Sequence, residues 1–285
     1  MKFSIIIPNY NGAQFLSDCL NSLDLSNEII IVDNASKDES LSKIKELKHS
    51  LKIENCKLKI NQINLGFAKA VNQGIKMAKN DYVVVCNNDL IVAKNYFSLI
   101  SQAIKDYPDY AVYVGTVLNK EGTHFESQGL KFYYSGKCEN IRNGEPYHRN
   151  CDPATAGEAI PVWGASAALV VYKKEIITKI GMFDERFFAY EEDVDLALRL
   201  HNSGYKTLLV PQALSYHLGG GTSGKMGNFR EKQDFKNWIR LISKNYTQKQ
   251  KIIYFFPILF NLTMYLLAII KSSLKMLKYS HDYRH

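Results

Sequence analysis

Three short apolar runs constrain this chain more than any other feature. They are Ser4-Ile5-Ile6-Ile7, Ile29-Ile30-Ile31-Val32 and Val83-Val84-Val85, and each is followed by a cluster of Asn, Asp or Ser. Runs of β-branched residues bounded by turn formers read as strands buried on both faces. Between them, apolar residues recur at helical spacing, as at Phe15, Leu16, Leu20 and Leu23, and again at Leu41, Ile44 and Leu47. Strands are expected at Phe3–Pro8, Glu28–Asp33, Lys57–Asn61 and Tyr82–Asn87. Helices are expected at Ala13–Leu25, around Leu41–Leu47, at Phe67–Ala78 and at Lys94–Tyr107. Strands that alternate with amphipathic helices imply an α/β fold whose sheet is mainly parallel and covered on both faces. Beyond Ala111 the pattern changes. Ala111–Leu118 and Phe125–Tyr134 read as strands, Ile141–Glu158 as a polar loop, Ile160–Tyr172 as apolar again and Glu191–Ser203 as a helix. This is taken as the second half of one mixed sheet.

In an open α/β sheet, ligands bind outside the carboxyl ends of the strands. Three such ends here carry Pro8-Asn9-Tyr10-Asn11-Gly12, Asp33-Asn34-Ala35-Ser36-Lys37-Asp38 and Asn87-Asn88-Asp89. Taken singly, each cluster is explained by turns and helix caps, and Ser36 to Glu39 matches a capping box. Taken together they should converge on one edge of the sheet. No G-x-G-x-x-G follows the first strand and no G-K-[ST] is present, which disfavours a nicotinamide enzyme and a P-loop kinase. Five cysteines without a C-x-x-C pair argue against a disulfide framework or a zinc knuckle and fit a reducing compartment.

The runs S-I-I-I-P-N-Y-N-G, I-I-I-V-D-N-A-S-K-D, N-L-G-F-A-K-A-V-N-Q-G and C-N-N-D-L resemble the nucleotide-sugar-binding half of inverting family 2 glycosyltransferases of the GT-A fold. A later run, F-F-A-Y-E-E-D-V-D-L-A-L-R at Phe187–Arg199, resembles the acceptor-side motif of the same family. The likeness extends from about Phe3 to Thr222. It lies nearest the bacterial subgroup that builds cell-surface polysaccharides, many of whose members use rhamnosyl or related donors.

The resemblance implies roles residue by residue. Asp33 would accept a hydrogen bond from the N3–H of uracil or thymine, since an ionised carboxylate is an acceptor only. Pro8 and Tyr10 would line the base pocket. Asn64, Gly66 and Asn88 would lie at the nucleotide, with Gly66 allowing close backbone approach. Asp89 corresponds to the last acid of the family's D-x-D element, which holds Mg²⁺ or Mn²⁺ against the diphosphate. Asn87 and Asn88 stand where that element carries other residues, so the protein supplies a thin set of acids. His217, before Gly219-Gly220-Gly221, resembles the family's closing histidine and would supplement the metal site. Asp193 would be the general base that takes the acceptor's proton, and Glu192 its neighbour at the sugars. Trp163 is either a sugar-stacking ring or a core tryptophan. Apart from the resemblance, four acids in five residues, Glu191, Glu192, Asp193 and Asp195, also suit a helix N-terminus, and Asp195 can pair with Arg199 one turn on. Crowding raises the pKa of a carboxylate, as a general base needs.

The chain's net charge is +8, and residues 225–285 hold twelve basic against three acidic residues, so the first 224 are close to neutral. Within this basic region Ile252–Ile270 is a run of 19 uncharged residues, with Lys249 and Lys251 before it and Lys271, Lys275 and Lys278 after it. That length approaches a membrane span of roughly 20 residues. Pro257, Asn261 and Thr263 weaken a span and favour a helical segment lying in the interface, its lysines on anionic headgroups. Packing as a soluble helix is the other option. The tail's apolar content argues against nucleic acid. The expectation is therefore a GT-A catalytic domain over 1–224, divided near 110 into nucleotide and acceptor halves, and a membrane-associating region over 225–285. Without a secretory signal at Phe3–Ile7, the protein is expected in the cytoplasm, peripheral or monotopic on the inner face of the cell membrane. Its partners would be a UDP- or dTDP-sugar donor and a saccharide or lipid-linked acceptor. A nucleotidyltransferase and a non-catalytic nucleotide-sugar-binding scaffold are the alternatives.

Overall fold

Alternating strands and helices fill the first 106 residues, and each strand delivers its polar cluster to the same edge of the sheet. The structure is a computed structural model that describes residues 1–148, 158–219 and 229–282. β1 (Ser4–Asn9), β2 (Glu28–Asp33), β3 (Cys56–Ile60) and β4 (Tyr82–Cys86) run parallel in the order β4-β1-β2-β3, connected by α1 (Ala13–Ser22), α2 (Ser40–Ser50) and α3 (Phe67–Met77). Ile5 and Ile7 face Leu16 and Leu20 of α1 and Ile44 of α2. Ile6, Ile30 and Val32 face Val71 and Ile75 of α3. This period-2 alternation buries both sheet faces, at about 1.5–3 kcal/mol per large apolar side chain.

The second half adds β5 (Leu90–Val92), α4 (Tyr96–Asp106), β6 (Val112–Asn119), β7 (Phe125–Ser127), β8 (Leu130–Phe132), β9 (Cys138–Asn140), β10 (Ile160–Val162), β11 (Leu169–Lys173), α5 (Lys174–Lys179), α6 (Glu192–Asn202) and β12 (Thr207–His217). The sheet continues from β4 as β11-β6-β12-β10, with β5 on β12 and β7 on β6, and it mixes parallel and antiparallel pairs. The strand expected over Phe125–Tyr134 is two strands, because Gly129 turns the chain between them at φ 97°. Ser36 does not cap α2, which starts at Ser40 with Glu39 before it. Its hydroxyl instead accepts from Asn11 N at 2.9 Å and ties two strand-end loops together. Part of the expected 141–158 loop (149–157), the glycines at 220–221 and the 224/225 boundary lie outside the described residues.

Three helices follow: α7 (Phe229–Asn245), α8 (Gln248–Ile253) and α9 (Phe255–Asp282). α7 is part of the body. Its Trp238 and Leu241 are buried in a third apolar cluster with Phe187, Val194 and Leu198. α9 lays Ile258, Leu262 and Tyr265 on that cluster and leaves Phe256, Phe260, Met264, Leu267 and Ile270 exposed. Among the described residues, no helix is long and apolar enough to cross a membrane.

Candidate active site

The three strand ends are locked to one another by short polar side chains. Asn88 Nδ2 donates to Asn9 Oδ1 at 2.7 Å, and Asn9 Nδ2 donates to Asp33 Oδ2 at 2.9 Å. Ser36 N donates to Asp33 Oδ1 at 3.0 Å. Asp33 therefore has both oxygens engaged and no exposed surface. It holds Asn9 and the Ser36 turn and does not line the cavity described below. Its neighbour Asn34 lines the cavity instead. The Asn34 amide donates to Asn64 Oδ1 and Gly66 O and accepts from Leu65 N and Asn61 Nδ2, so it organises the whole Asn61–Gly66 turn.

These ends open on a cavity of about 610 Å³. Pro8, Tyr10, Asn64, Gly66, Asn88, Asp89, Glu192, Asp193 and His217 all line it. Trp163 does not. It stacks on Phe132 with ring centroids 4.6 Å apart, on the edge of the third apolar cluster, and so takes the core option rather than the sugar-stacking one.

Asp89 and His217 are 128 positions apart and meet because β12 pairs with β5, setting His217 opposite Leu90. His217 Nε2 lies 3.1 Å from Asp89 Oδ2, and its Nδ1 lies 2.6 Å from Glu126 Oε2 on β7. Hydrogen bonds to the two carboxylates push the imidazole up to about 10. Each imidazole nitrogen thus faces a carboxylate. Glu126 escaped the sequence reading because its place depends on the β6–β7 register, which nothing local signals.

No group of three or more His, Cys, Asp or Glu among the described residues is arranged to hold a metal ion. Yet Asp89 is 6% exposed and its Oδ1 is buried with no partner. A buried orphan carboxylate oxygen next to an imidazole fits a hard or borderline cation that draws the rest of its shell from phosphate and water.

The acids at the start of α6 face different ways. Asp195 is fully buried on the far side, paired with Arg199 at 2.9 Å and Lys244 at 2.8 Å. Asp193 lies on the cavity side, where it accepts from Ala167 N and Val194 N. Burial raises Asp193 above the usual carboxylate range against the pull of those bonds. Burial, then the Asp193 charge, raises Glu192 further. Glu191, in the left-handed region at φ 64°, is pushed up to about 8, first by burial and then by Asp193.

A loop at residues 187–191 leads into these acids and closes the cavity wall with Phe188, Ala189 and Tyr190. Phe188, Tyr190 and Glu191 all have positive φ. Phe188 O accepts from Phe67 N at 2.5 Å, against Gly66 at φ 85°. The nucleotide-side turn and the acid-bearing loop are thus in direct contact.

Comparison with known proteins gives the same architecture. N-acetylglucosaminyl-diphospho-decaprenol L-rhamnosyltransferase of Mycobacterium tuberculosis is 35% identical over 65 residues, 23% of this chain and 21% of that protein. Poly(ribitol-phosphate) beta-N-acetylglucosaminyltransferase TarS of Staphylococcus aureus is 31% identical over 67 residues, 21% of this chain and 12% of that protein. The matched segments span about a fifth or less of these relatives. GalNAc-T7, solved with UDP, GalNAc and Mn²⁺, superposes with TM-score 0.67 at 17% identity over 89% of this chain and 50% of that one. The mannosyltransferase PcManGT of Pyrobaculum calidifontis, solved with GDP-Man and Mn²⁺, gives 0.61 at 15% identity over 99% and 75%. At such identities the likeness speaks for the fold, which is GT-A. The profile of Glycosyl transferase family 2 matches residues 4–180, from β1 through α5 and including all three strand-end clusters, and the chain belongs to that family.

Proposed function

We propose that this chain transfers a sugar from a UDP- or dTDP-linked donor to a saccharide or lipid-linked saccharide acceptor, with inversion, in bacterial cell-surface polysaccharide synthesis. The observation that carries this reading is the placement of a half-buried carboxylate of raised pKa, Asp193, on the same cavity as the Asp89–His217 pair. Asp193 takes the proton of the acceptor hydroxyl as that oxygen attacks the anomeric carbon. Its anchoring to Ala167 N and Val194 N fixes the direction of attack. One displacement from the face opposite the leaving group inverts the anomeric centre. Pro8, Tyr10, Asn34, Asn64 and Gly66 form the wall for the nucleoside, and Asn88 holds the Asp89 loop through Asn9. Asp89, and His217 once it gives up the proton it shares with Asp89, would hold Mg²⁺ or Mn²⁺, whose charge would stabilise the departing diphosphate. A scaffold that merely binds nucleotide has no use for a base on the cavity wall, which favours the enzyme.

We also infer that the exposed apolar face of α9 rests on the cytoplasmic face of an anionic membrane, where a lipid-linked acceptor would be found.

The test is thermal unfolding with UDP, dTDP and GDP, each with and without Mn²⁺, on the wild type and Asp193→Asn. A ligand at 100 times its dissociation constant adds about 2.7 kcal/mol, a rise of several degrees. A pyrimidine diphosphate should stabilise both proteins, more so with Mn²⁺, while transfer is lost in Asp193→Asn. No stabilisation by UDP or dTDP, or full transfer by Asp193→Asn, overturns the reading.

A further inference from the structure

Helix α7 lies beyond every motif that marks the site, yet it grips the site's most strained segment. Asn237 has no exposed surface. Its Nδ2 donates to Phe187 O at 2.8 Å, Ala189 O at 2.8 Å and Tyr190 O at 2.7 Å. Gln233 Nε2, one turn earlier, donates to Phe187 O at 3.0 Å. Arg240 donates to Asn237 Oδ1 at 2.7 Å, which fixes the amide so that nitrogen, not oxygen, faces the loop. The carbonyls held this way belong to a loop in which Phe188, Tyr190 and Glu191 all have positive φ. Non-glycine residues keep such backbone only where surrounding contacts over-determine it. From the opposite side the backbone bond from Phe67 N to Phe188 O also holds the loop. Two residues past Glu191 stands Asp193.

We propose that Asn237 is a positioning residue: its amide, oriented by Arg240, holds the 187–191 loop in the strained form that sets Asp193 and the acceptor wall. The proposal rests on Asp193 being the base, as argued above. It also makes α7 part of the catalytic unit, although its sequence belongs to the basic C-terminal region. Volume alone does not supply this function. A carboxylate of the same size would turn an acceptor toward three carbonyl oxygens.

The test compares Asn237→Asp, Asn237→Ala and Arg240→Ala with the wild type in the full chain. Two quantities are read: amide hydrogen exchange by peptide, and turnover of UDP- and dTDP-sugars split into kcat and donor KM. Exchange in peptides covering 185–193 should rise about tenfold or more, the equivalent of one well-made hydrogen bond, with β1 and β2 unchanged. In the same variants kcat should fall at least tenfold and by more than donor KM rises, because the loop leads directly into Asp193 but meets the nucleotide-side turn only at Phe188. Asn237→Asp should be the worst and Arg240→Ala the mildest. If Asn237→Asp matches the wild type in loop exchange and kcat, the side chain is packing only and the proposal fails. Exchange that rises evenly over the whole sheet also defeats it. Arg240→Ala, at a half-buried position, keeps the test open should the Asn237 variants not fold. Asp193→Asn run alongside separates the two readings. If that variant turns over normally, the base assignment has failed, whatever the loop does.

Discussion

At position 192 a carboxyl group is 6% exposed, with Oε2 buried and without a partner, one residue before the proposed base. An ionised carboxylate there would face both a missing hydrogen bond and the Asp193 charge. Burial and that charge instead favour the protonated form. Glutamine has the shape and neutrality of a protonated glutamate. Glu192→Gln should therefore keep kcat/KM within about threefold, whereas Asp193→Asn should lose about 10²–10⁴, the usual worth of general base catalysis. The pH profile follows the same logic. A base works when deprotonated, and the Asp193 pKa is raised, so the rate falls as pH drops through a midpoint above the ordinary aspartate value of about 3.9. Initial rates of both variants between pH 4 and 9 decide this. Equal loss in the two would mean that Glu192 is ionised and shares the proton transfer.

Among the elements, the contact between the α3 entry and the 187–191 loop leaves no room for a side chain. A Cβ at Gly66 would lie 2.5 Å from Phe188 O and 2.6 Å from its ring, at a φ of 85° that side chains avoid. Strain of this kind costs about 1–3 kcal/mol. Gly66→Ala should lower the melting temperature by a few degrees and weaken stabilisation by UDP or dTDP. A variant that melts and responds to nucleotide as the wild type does would show that the two loops are independent. The same contact marks how far the sequence could be read. The β1, β2 and β4 runs are apolar and terminated by turn formers, so their place was legible, and so was the edge on which Asn9, Asn34 and Asn88 gather. β12 was not legible. Pro211 interrupts its run, and proline argues against a central strand. The structure accommodates it between Leu209 and Leu214, where the register with β6 shifts and Pro211 O takes up Thr116 Oγ1. The meeting of His217 with Asp89 and Glu126 depends on that strand, as the loop clamp depends on α7. Neither is a local property. The bond of Asp33 to Asn9 was not legible for a related reason: it joins residues of different strand ends.

For the whole molecule, the arrangement of α9 is lopsided in a way that a monomer in water does not need. Ile258, Leu262 and Tyr265 pack inward, but the opposite side is apolar as well, with Phe256 78%, Phe260 68% and Leu267 54% exposed. A contiguous apolar face of this kind marks a contact surface. The charges around it select the partner. Lys249, Lys251 and Lys271 flank the run, and the basic excess of the chain lies in this region. A second copy would bring like charge to like charge, while an anionic bilayer gains about 1 kcal/mol per lysine near its surface and accepts the phenyl rings below it. The protein should therefore co-sediment with vesicles containing phosphatidylglycerol, and poorly with pure phosphatidylcholine. Binding should weaken as salt rises. Phe256→Ser with Phe260→Ser removes up to about 1.5–3 kcal/mol of burial per ring and should reduce binding at least tenfold, with nucleotide stabilisation unchanged because neither ring lines the cavity. If the double variant instead converts a dimer to a monomer and neither protein binds vesicles, the face is a contact between copies. A lipid-linked acceptor would then have to reach the acceptor wall without a membrane-bound enzyme.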